Sequence, residues 1–298
     1  MKFILVSNIL ENSGFINFLE DALVAYPDAR FIVTGDFLNI FPETREQLQD
    51  SMFYELYGKS ILDGMHKLNK FTFGFLKQSP FTTALQEMFF PMGEYHQKAQ
   101  AMAMRRYEKM FSHFEAMLEQ NSMYFVPGDM DYPLLTECVT RRSSCFHSLD
   151  SRVITLDGTK FAGIGGTPNN LKPVRGMIDL TPNEMVPDEF TRRLNNLSGV
   201  DVLVTHVAPE ESRELRDFIK KSQLKLVICR APFVKRGQEN FRGKLETYTI
   251  KNTCVIKVSP FDTANHQVMI IDITDGNFEF QAMNIFEWGL PIVDAVAV

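Results

Sequence analysis

Acidic and imidazole side chains recur in this sequence directly after short apolar runs. Asp36 follows the run FIVTG, and His206 follows VLVT. Asp129 and Asp131 come just after YFVPG. Carboxylates and imidazoles bind divalent cations and move protons during hydrolysis. These residues therefore predict a polar site, provided that the folded chain brings the ends of the runs together.

The apolar runs have the composition of buried strands. Residues 2–7 (KFILVS) and 31–36 (FIVTGD) are rich in β-branched and aromatic residues and end in polar ones. Between them, four apolar residues at helical spacing indicate a helix: Phe15, Phe18, Leu19 and Leu23. This order predicts a βαβ unit, in which both strands present their ends at the same edge of a parallel sheet.

Later runs predict further strands. They lie at 123–126, 152–155, 160–164, 202–205, 225–229, 245–250, 253–258, 267–273 and 278–282. The last four are close together and are separated by turn signals such as Asp275-Gly276. Short connections of this kind join antiparallel strands, so we expect the carboxyl third of the chain to be largely antiparallel.

Residues 41–121 lack strand signals and predict a helical insertion. One apolar helix face is formed by Tyr107, Met110, Phe111, Phe114, Met117 and Leu118. The segment also contains Phe71, Phe73, Phe75, Phe81, Met88, Phe89, Phe90 and Met92. These side chains predict either a core of the insertion and its seam with the rest of the chain, or an exposed surface that binds a protein partner.

Composition narrows the class of protein. A formal net charge of -6 offers no field that would attract nucleic acid. The four cysteines form no CxxC pair, and the amino terminus does not have the pattern of a signal peptide, so we expect a reduced, cytoplasmic protein. No apolar run reaches the roughly 18–20 residues of a membrane span. We expect one domain, 1–298, that includes the insertion.

The strand ends resemble, in order, the motifs of calcineurin-like metallophosphoesterases: Asp-x-His, Gly-Asp-x-x-Asp, Gly-Asn-His-Asp/Glu, a lone His, and Gly-His-x-His. The corresponding segments are 7–10 (SNIL), 35–39 (GDFLN), 127–131 (PGDMD), 204–209 (VTHVAP) and 229–232 (CRAP). Segments 163–167 (GIGGT), 258–260 (VSP) and 268–278 (VMIIDITDGNF) extend the resemblance. It covers 1–40 and about 121–283, and it implies an α/β fold, a two-sheet α/β/β/α sandwich.

In that family, two metal ions activate a water molecule and polarise the phosphoryl group. The resemblance matches Asp36 to the bridging carboxylate and His206 to the lone metal ligand. Asp129 stands where an asparagine binds the second metal, and a carboxylate still suits a hard cation. These three residues imply at most one ion, such as Mn, Mg or Zn. A core histidine bonded to a nearby carbonyl is the alternative for His206.

Other motif positions depart from the family. Asn8 replaces an aspartate and Leu10 replaces a histidine, which implies that the first metal site is lost. Met130 replaces the histidine that would protonate the leaving group, and a thioether cannot do this. Asp131 retains the acidic position that would orient that histidine. Asn39 replaces an aspartate that supports the ligands, although a turn-forming asparagine is equally expected there.

Arg230 stands where a metal-binding histidine is expected. Its guanidinium predicts a partner for an oxyanion or a substitute for a metal cation. A surface-loop arginine, followed by the basic residues Lys235, Arg236, Arg242 and Lys244, is the alternative. With Asn8, Asn39 and Asp131, Arg230 completes the set of residues expected in the cleft.

Three functional interpretations follow from the resemblance. The favoured one is a catalytically degenerate, non-catalytic homologue that binds a protein partner through the helical insertion. The second is a phosphoesterase that uses one metal or unusual ligands. The third is a sensor that binds a phosphorylated small molecule with Arg230 and the glycine-rich loop 163–166, without turnover.

Overall fold

The computed structural model of the protein describes residues 1–39, 52, 55, 92–141, 143–168, 183–231, 246–261, 267–274 and 276–284. The strands of the first sheet are β1 (Lys2–Val6), β2 (Arg30–Val33), β3 (Met123–Phe125), β4 (Phe146–Ser148), β13 (Gln267–Thr274) and β14 (Asn277–Asn284). Those of the second are β5 (Val153–Leu156), β6 (Thr159–Ile164), β9 (Val202–Thr205), β10 (Leu226–Arg230), β11 (Glu246–Ile250) and β12 (Thr253–Val258). A short pair is formed by β7 (Thr167–Pro168) and β8 (Glu184–Met185).

The first sheet has the order β14-β13-β1-β2-β3-β4, and the second has the order β11-β12-β10-β9-β6-β5. Strands β1 to β4 are parallel, as are β6, β9, β10 and β12. The predicted antiparallel pairs β11–β12 and β13–β14 are present, one in each sheet. Parallel strands end at the same edge, so the polar residues that follow them are collected there.

Helices cover the outer faces of both sheets. They are α1 (Gly14–Ala25), α2 (Met92–Leu118), α3 (Leu134–Thr140), α4 (Pro187–Asn195) and α5 (Arg213–Lys221). Phe15, Phe111 and Phe31 belong to the core between the first sheet and its helices. A second core that includes Phe3 and Phe161 lies between the sheets, and a third lies beneath α4 and α5. The predicted α/β/β/α sandwich is therefore confirmed.

Helix α2 confirms part of the prediction for the insertion. Tyr107, Met110, Phe111, Phe114 and Leu118 are buried, and Met117 packs against the same core. The other aromatic and methionine side chains singled out between 71 and 92 lie outside the described residues, as do Pro232 and the basic residues at 235–244. No helix among the described residues has the length and apolar character needed to cross a membrane.

Strand β13 pairs with the first strand of the sequence. It lies antiparallel to β1, with Lys2 opposite Asp272 and Leu5 opposite Met269. The amino group of Met1 donates to the carbonyl of Ile273 at 2.8 Å. The first strand of the sequence therefore has one neighbour close in sequence, β2, and one about 270 residues away.

Candidate functional site

The loops that follow β1, β2 and β3 meet at one edge of the first sheet. The amide of Asn8 donates to the carbonyl of Gly35 at 3.0 Å, and that of Leu10 donates to Asp36 O at 3.0 Å. Asn8, Leu10, Glu11 and Asp36 all have positive φ angles, between 48° and 57°. Non-glycine residues rarely adopt this conformation, and it concentrates at functional sites, where the surrounding structure maintains it.

Two glycines allow the second and third loops to pack against each other. A Cβ atom on Gly128 would overlap the carboxylate of Asp36, and one on Gly35 would overlap the backbone of Gly128 and the ring of His206. Gly35 also has a φ of 104°. The glycine of each motif is therefore needed for close approach rather than for flexibility.

Two side chains from these loops and one from the end of β9 in the second sheet form the one group of potential metal ligands found among the described residues. They are Asp36, Asp129 and His206, with one ligand atom of each within 4.8 Å of the others. Nε2 of His206 lies 3.1 Å from Asp129 Oδ1 and 3.4 Å from Asp36 Oδ2. Asp36 and His206 are fully buried, whereas the Asp129 side chain is 18% exposed, so the group opens to solvent at Asp129.

A hydrogen bond to the backbone fixes the orientation of the His206 ring. Its Nδ1 donates to the carbonyl of Thr34 at 2.7 Å, which leaves Nε2 toward the two carboxylates. The carbonyl bond agrees with the core-histidine alternative, but it is also the partner that metal-binding histidines commonly have. Burial lowers the pKa of His206, yet Asp36 and Asp129 outweigh it, so that the pKa is raised.

A proton or a cation is required within this group. An Nε2 lone pair directed at two carboxylate oxygens would be repelled by them. Burial raises the pKa of Asp36 to about 7, and the charge of His206 offsets part of that effect. At neutral pH the group therefore retains a proton that a divalent cation can displace.

The residues fit one divalent cation. A neutral imidazole held by a carbonyl, together with two carboxylates, is a donor set suited to Mn, Mg or Zn. The atoms converge from three separate loops, and one of the three side chains reaches solvent. The observation that carries this fit is the Nδ1–carbonyl bond, because it directs the lone pair of the ring into the group.

Asn8 contacts the same oxygen of Asp36 that faces His206. Its Nδ2 donates to Asp36 Oδ2 at 3.1 Å, and its Oδ1 accepts from the hydroxyl of Ser7 at 2.7 Å. Asn8 is fully buried. The carboxylate that the resemblance assigns to bridging two metals therefore also accepts from an amide donor.

Hydrocarbon side chains occupy the two positions where the resemblance requires imidazoles. Leu10 packs against the core beneath the first sheet, and Met130 is a buried member of that core. Met130 contacts the site through its backbone amide, which donates to Asp36 Oδ1 at 3.2 Å. Neither side chain can bind a hard cation or transfer a proton.

Asp131 binds backbone rather than ligand. Oδ2 accepts from the amides of Asp36 at 2.8 Å and Gly128 at 2.7 Å. Oδ1 accepts from the amide of Phe37 at 2.9 Å and from the hydroxyl of Tyr107 at 3.1 Å. This fully buried carboxylate lies beneath the cleft and fastens its loops together, and it presents no donor to a phosphate.

Arg230 is buried at the end of β10, so the surface-loop alternative is wrong. Its Nη2 lies 3.3 Å and 3.5 Å from the two carboxylate oxygens of Glu211, a residue that the sequence motifs did not single out. The pKa values of Asp36 and His206 are both raised, and the charge of Arg230 offsets part of each rise. The guanidinium is therefore near the site but is engaged by a carboxylate of this chain.

The glycine-rich loop does not form a cradle for phosphate. The amides of Gly163, Gly165 and Gly166 donate to Leu149 O, Asp150 Oδ1 and Pro127 O. A Cβ atom on Gly165 would overlap Pro127. These glycines permit close packing of the two sheet edges, and their N–H groups are already used.

Asn39 and Glu11 extend the site toward the insertion. Asn39 is 4% exposed, and its amide donates to Glu11 Oε2 at 3.0 Å. The same oxygen accepts from Arg106 Nη1 at 2.6 Å. Sequence analysis missed Glu11, and it interpreted Tyr107 only as part of an apolar helix face. A hydroxyl on an otherwise apolar face was the one available signal for Tyr107.

No protein-family model and no curated protein sequence matches the chain. Similarity is found among solved structures. TT1561 of Thermus thermophilus is 13% identical, with 95% of this chain and 98% of that chain covered and a TM-score of 0.55. Another crystal structure has the same identity and coverage and a TM-score of 0.61. An archaeal phosphodiesterase is 11% identical over 95% and 99% of the chains, with a TM-score of 0.42.

These likenesses bear on the fold. They extend over nearly the whole chain, and the sheet order, the edge at which the loops meet and the order of the motifs agree with the expected sandwich. The chain therefore has the two-sheet α/β/β/α sandwich that the order of the motifs predicts, and it shares that fold with these two crystal structures.

Proposed function

We propose that this protein is a catalytically degenerate metallophosphoesterase homologue that acts by binding. It retains one cation site, formed by Asp36, Asp129 and His206, and has lost the other. The observation that carries the proposal is the Asn8 amide bonded to Asp36 Oδ2 at 3.1 Å, because a donor there does what a second cation would otherwise do.

The chemistry of the remaining groups supports a role without turnover. Loss of a general acid typically lowers a rate by a factor of about 100 to 10,000. Met130 supplies no proton, and the side chain of Asp131 is committed to three amides and a hydroxyl. A bound divalent cation would supply a Lewis acid in the cleft. Asp36, Asp129 and His206 would hold it.

The partner in this proposal is a protein bound through the helical insertion. Two features support it: the aromatic and methionine content of 41–91, and the attachment of α2 to the cleft through Arg106 and Tyr107. Interfaces derive most of their energy from a few aromatic anchors.

Metal content and turnover test the first part. The purified chain is titrated with Mn²⁺ by calorimetry, and hydrolysis of p-nitrophenyl phosphate and bis-p-nitrophenyl phosphate is measured with Mn²⁺ in excess. We expect one Mn²⁺ per chain and no turnover above that of the His206→Ala variant. Two ions per chain with turnover would sink the proposal.

Association tests the second part. Copurifying proteins are quantified for the wild type, for Asp36→Ala and His206→Ala, and for polar substitutions at Phe71, Phe73 and Phe75. The proposal expects the insertion variants to lose a partner that the two cleft variants retain. The opposite ranking would transfer partner binding to the cleft.

A second candidate is a phosphoesterase that uses one metal. The specific observation in its favour is the intact group of Asp36, Asp129 and His206, which opens to solvent at Asp129. One bound Mn²⁺ together with slow hydrolysis that His206→Ala abolishes would establish this candidate instead.

A further inference from the structure

The carboxylate of Asp131 determines the position of both acidic residues in the proposed cation site. It accepts from the amides of Asp36 and Phe37 on one loop and of Gly128, which precedes Asp129, on the other. Each bond is 2.9 Å or shorter and fully buried. Any change in the position of this carboxylate therefore moves the backbone that carries Asp36 and Asp129.

The fourth donor to Asp131 comes from the insertion. The hydroxyl of Tyr107, on α2, donates to Asp131 Oδ1 at 3.1 Å and accepts from the amide of Tyr132 at 2.9 Å. Tyr107 is 1% exposed. Burial and the charge of Asp131 raise the pKa of Tyr107 well above its ordinary value, so the hydroxyl keeps its proton and remains a donor.

Arg106, the residue before Tyr107 in α2, contacts the loop that follows β1. Arg106 pairs with Glu11 at 2.6 Å and with Glu55, within the insertion, also at 2.6 Å. Glu11 in turn accepts from the amide of Asn39. Successive residues of α2 thus bond to the loops that follow β1 and β3, and Glu11 connects the first of these to the loop that follows β2. Because two loops are bonded at once, α2 cannot shift without disturbing them.

We propose that Tyr107 is a positioning residue for the cation site and acts through Asp131 on the backbone of Asp36 and Asp129. The inference rests on the cation site proposed above. Removing the hydroxyl breaks the bond that the Tyr132 amide donates to it and takes one donor from Asp131. Losing a bond in a buried site is unfavourable, and the loops reduce that cost by moving. The insertion thereby acquires a physical connection to the cleft.

The test compares the Mn²⁺ dissociation constants of the wild type, Tyr107→Phe and Tyr124→Phe, measured by calorimetry at one pH. Tyr124 is a matched control, because it is also a buried tyrosine, 5% exposed, but lies in β3 beside His147. Removing an outer-shell partner of a metal ligand costs about 10- to 100-fold in affinity. We expect Tyr107→Phe to weaken binding by about 5- to 10-fold, and Tyr124→Phe to leave it unchanged.

Combining Tyr107→Phe with Asp131→Asn separates positioning from general destabilisation. If the tyrosine acts through the carboxylate, it has no further effect on Mn²⁺ affinity once Asp131 is replaced. Equal affinities of the wild type and Tyr107→Phe, or an equal loss in Tyr124→Phe, would overturn the inference while the cation site stands. A wild type that binds no Mn²⁺ overturns the cation site and the inference together.

Discussion

The neighbours of Asp36 form two sets that differ in whether they need a ligand. In the first set, Asn8 donates to the carboxylate and Leu10 and Met130 add hydrocarbon, so its groups are satisfied within the chain. In the second set, the ring nitrogen of His206 faces Asp36 and Asp129, an arrangement that requires a proton or a cation. Only the second set therefore needs a bound proton or cation.

The largest expected effect is on Mn²⁺ affinity in the second set, around His206. His206→Ala removes the only nitrogen in the group, and we expect the Mn²⁺ dissociation constant to rise by more than about 100-fold, beyond the cost of losing an outer-shell partner. Calorimetry with His147→Ala as the control imidazole checks this. If His206→Ala still bound Mn²⁺, the two sets of neighbours of Asp36 would not differ in their need for a cation.

The converse experiment restores the metal-binding residues of the family in the first set. Asn8→Asp, Leu10→His and Met130→His together supply a carboxylate, an imidazole ligand and an acid, and Arg230→His with Pro232→His extends the set. Position 10 has a φ of 50°, which histidine tolerates better than most residues. We expect bound Mn²⁺, measured by elemental analysis, to rise from one ion per chain to two. An unchanged content would mean that the backbone has also diverged.

Asp36→Asn should stabilise the protein when metal is chelated. Because burial raises the pKa of Asp36 from 3.8 to about 7, the folded state loses stability as pH rises from about 4 to 8. Linkage over that interval limits the gain to about 4 kcal/mol, and we expect roughly half, because His206 loses one of its two carboxylate neighbours.

The melting temperature should accordingly rise by about 4–6 °C at pH 8 and by less at pH 5. Asparagine accepts the φ of 57° at this position, so strain does not confound the result. A lower melting temperature at pH 8 would contradict the assignment of the cost to the buried charge.

The smallest effect concerns the contact between Arg230 and Glu211. Its distances of 3.3 and 3.5 Å exceed those of strong charge-assisted bonds, and Glu211 is partly exposed. Glu211→Gln should cost about 1 kcal/mol, because Arg230 is left buried with a weaker partner. Glu189→Gln, which breaks an exposed pair with Arg192, should cost almost nothing. Equal shifts in melting temperature would show that burial at Arg230 is unimportant.

Sequence patterns predicted most of the sandwich because its strands are compact runs of β-branched and aromatic residues. The order of the strand ends also indicated that Asn8, Asp36, Asp129 and His206 would meet. The patterns missed β4, whose three residues (FHS) have no alternation, and α3 and α4, which are too short for a clear helical period. Periodicity cannot identify elements of one or two turns.

The partners of polar groups were harder to predict than the groups themselves. Asp131 was singled out, but its bond to Tyr107 joins residues 24 positions apart on different elements. Glu211 belongs to none of the motifs, yet it precedes α5 and pairs with buried Arg230. Such roles depend on tertiary contacts that local spacing does not encode.

The pairing of β1 with β13 has a consequence for folding. Strand β1 can pair with β2 early in synthesis, but its other edge acquires a partner only when residues 267–274 have been made. Contacts so distant in sequence slow folding, and an unpaired strand edge can associate with other chains in the meantime. We therefore expect a truncation before 267 to aggregate, although every residue of the proposed cation site would still be present.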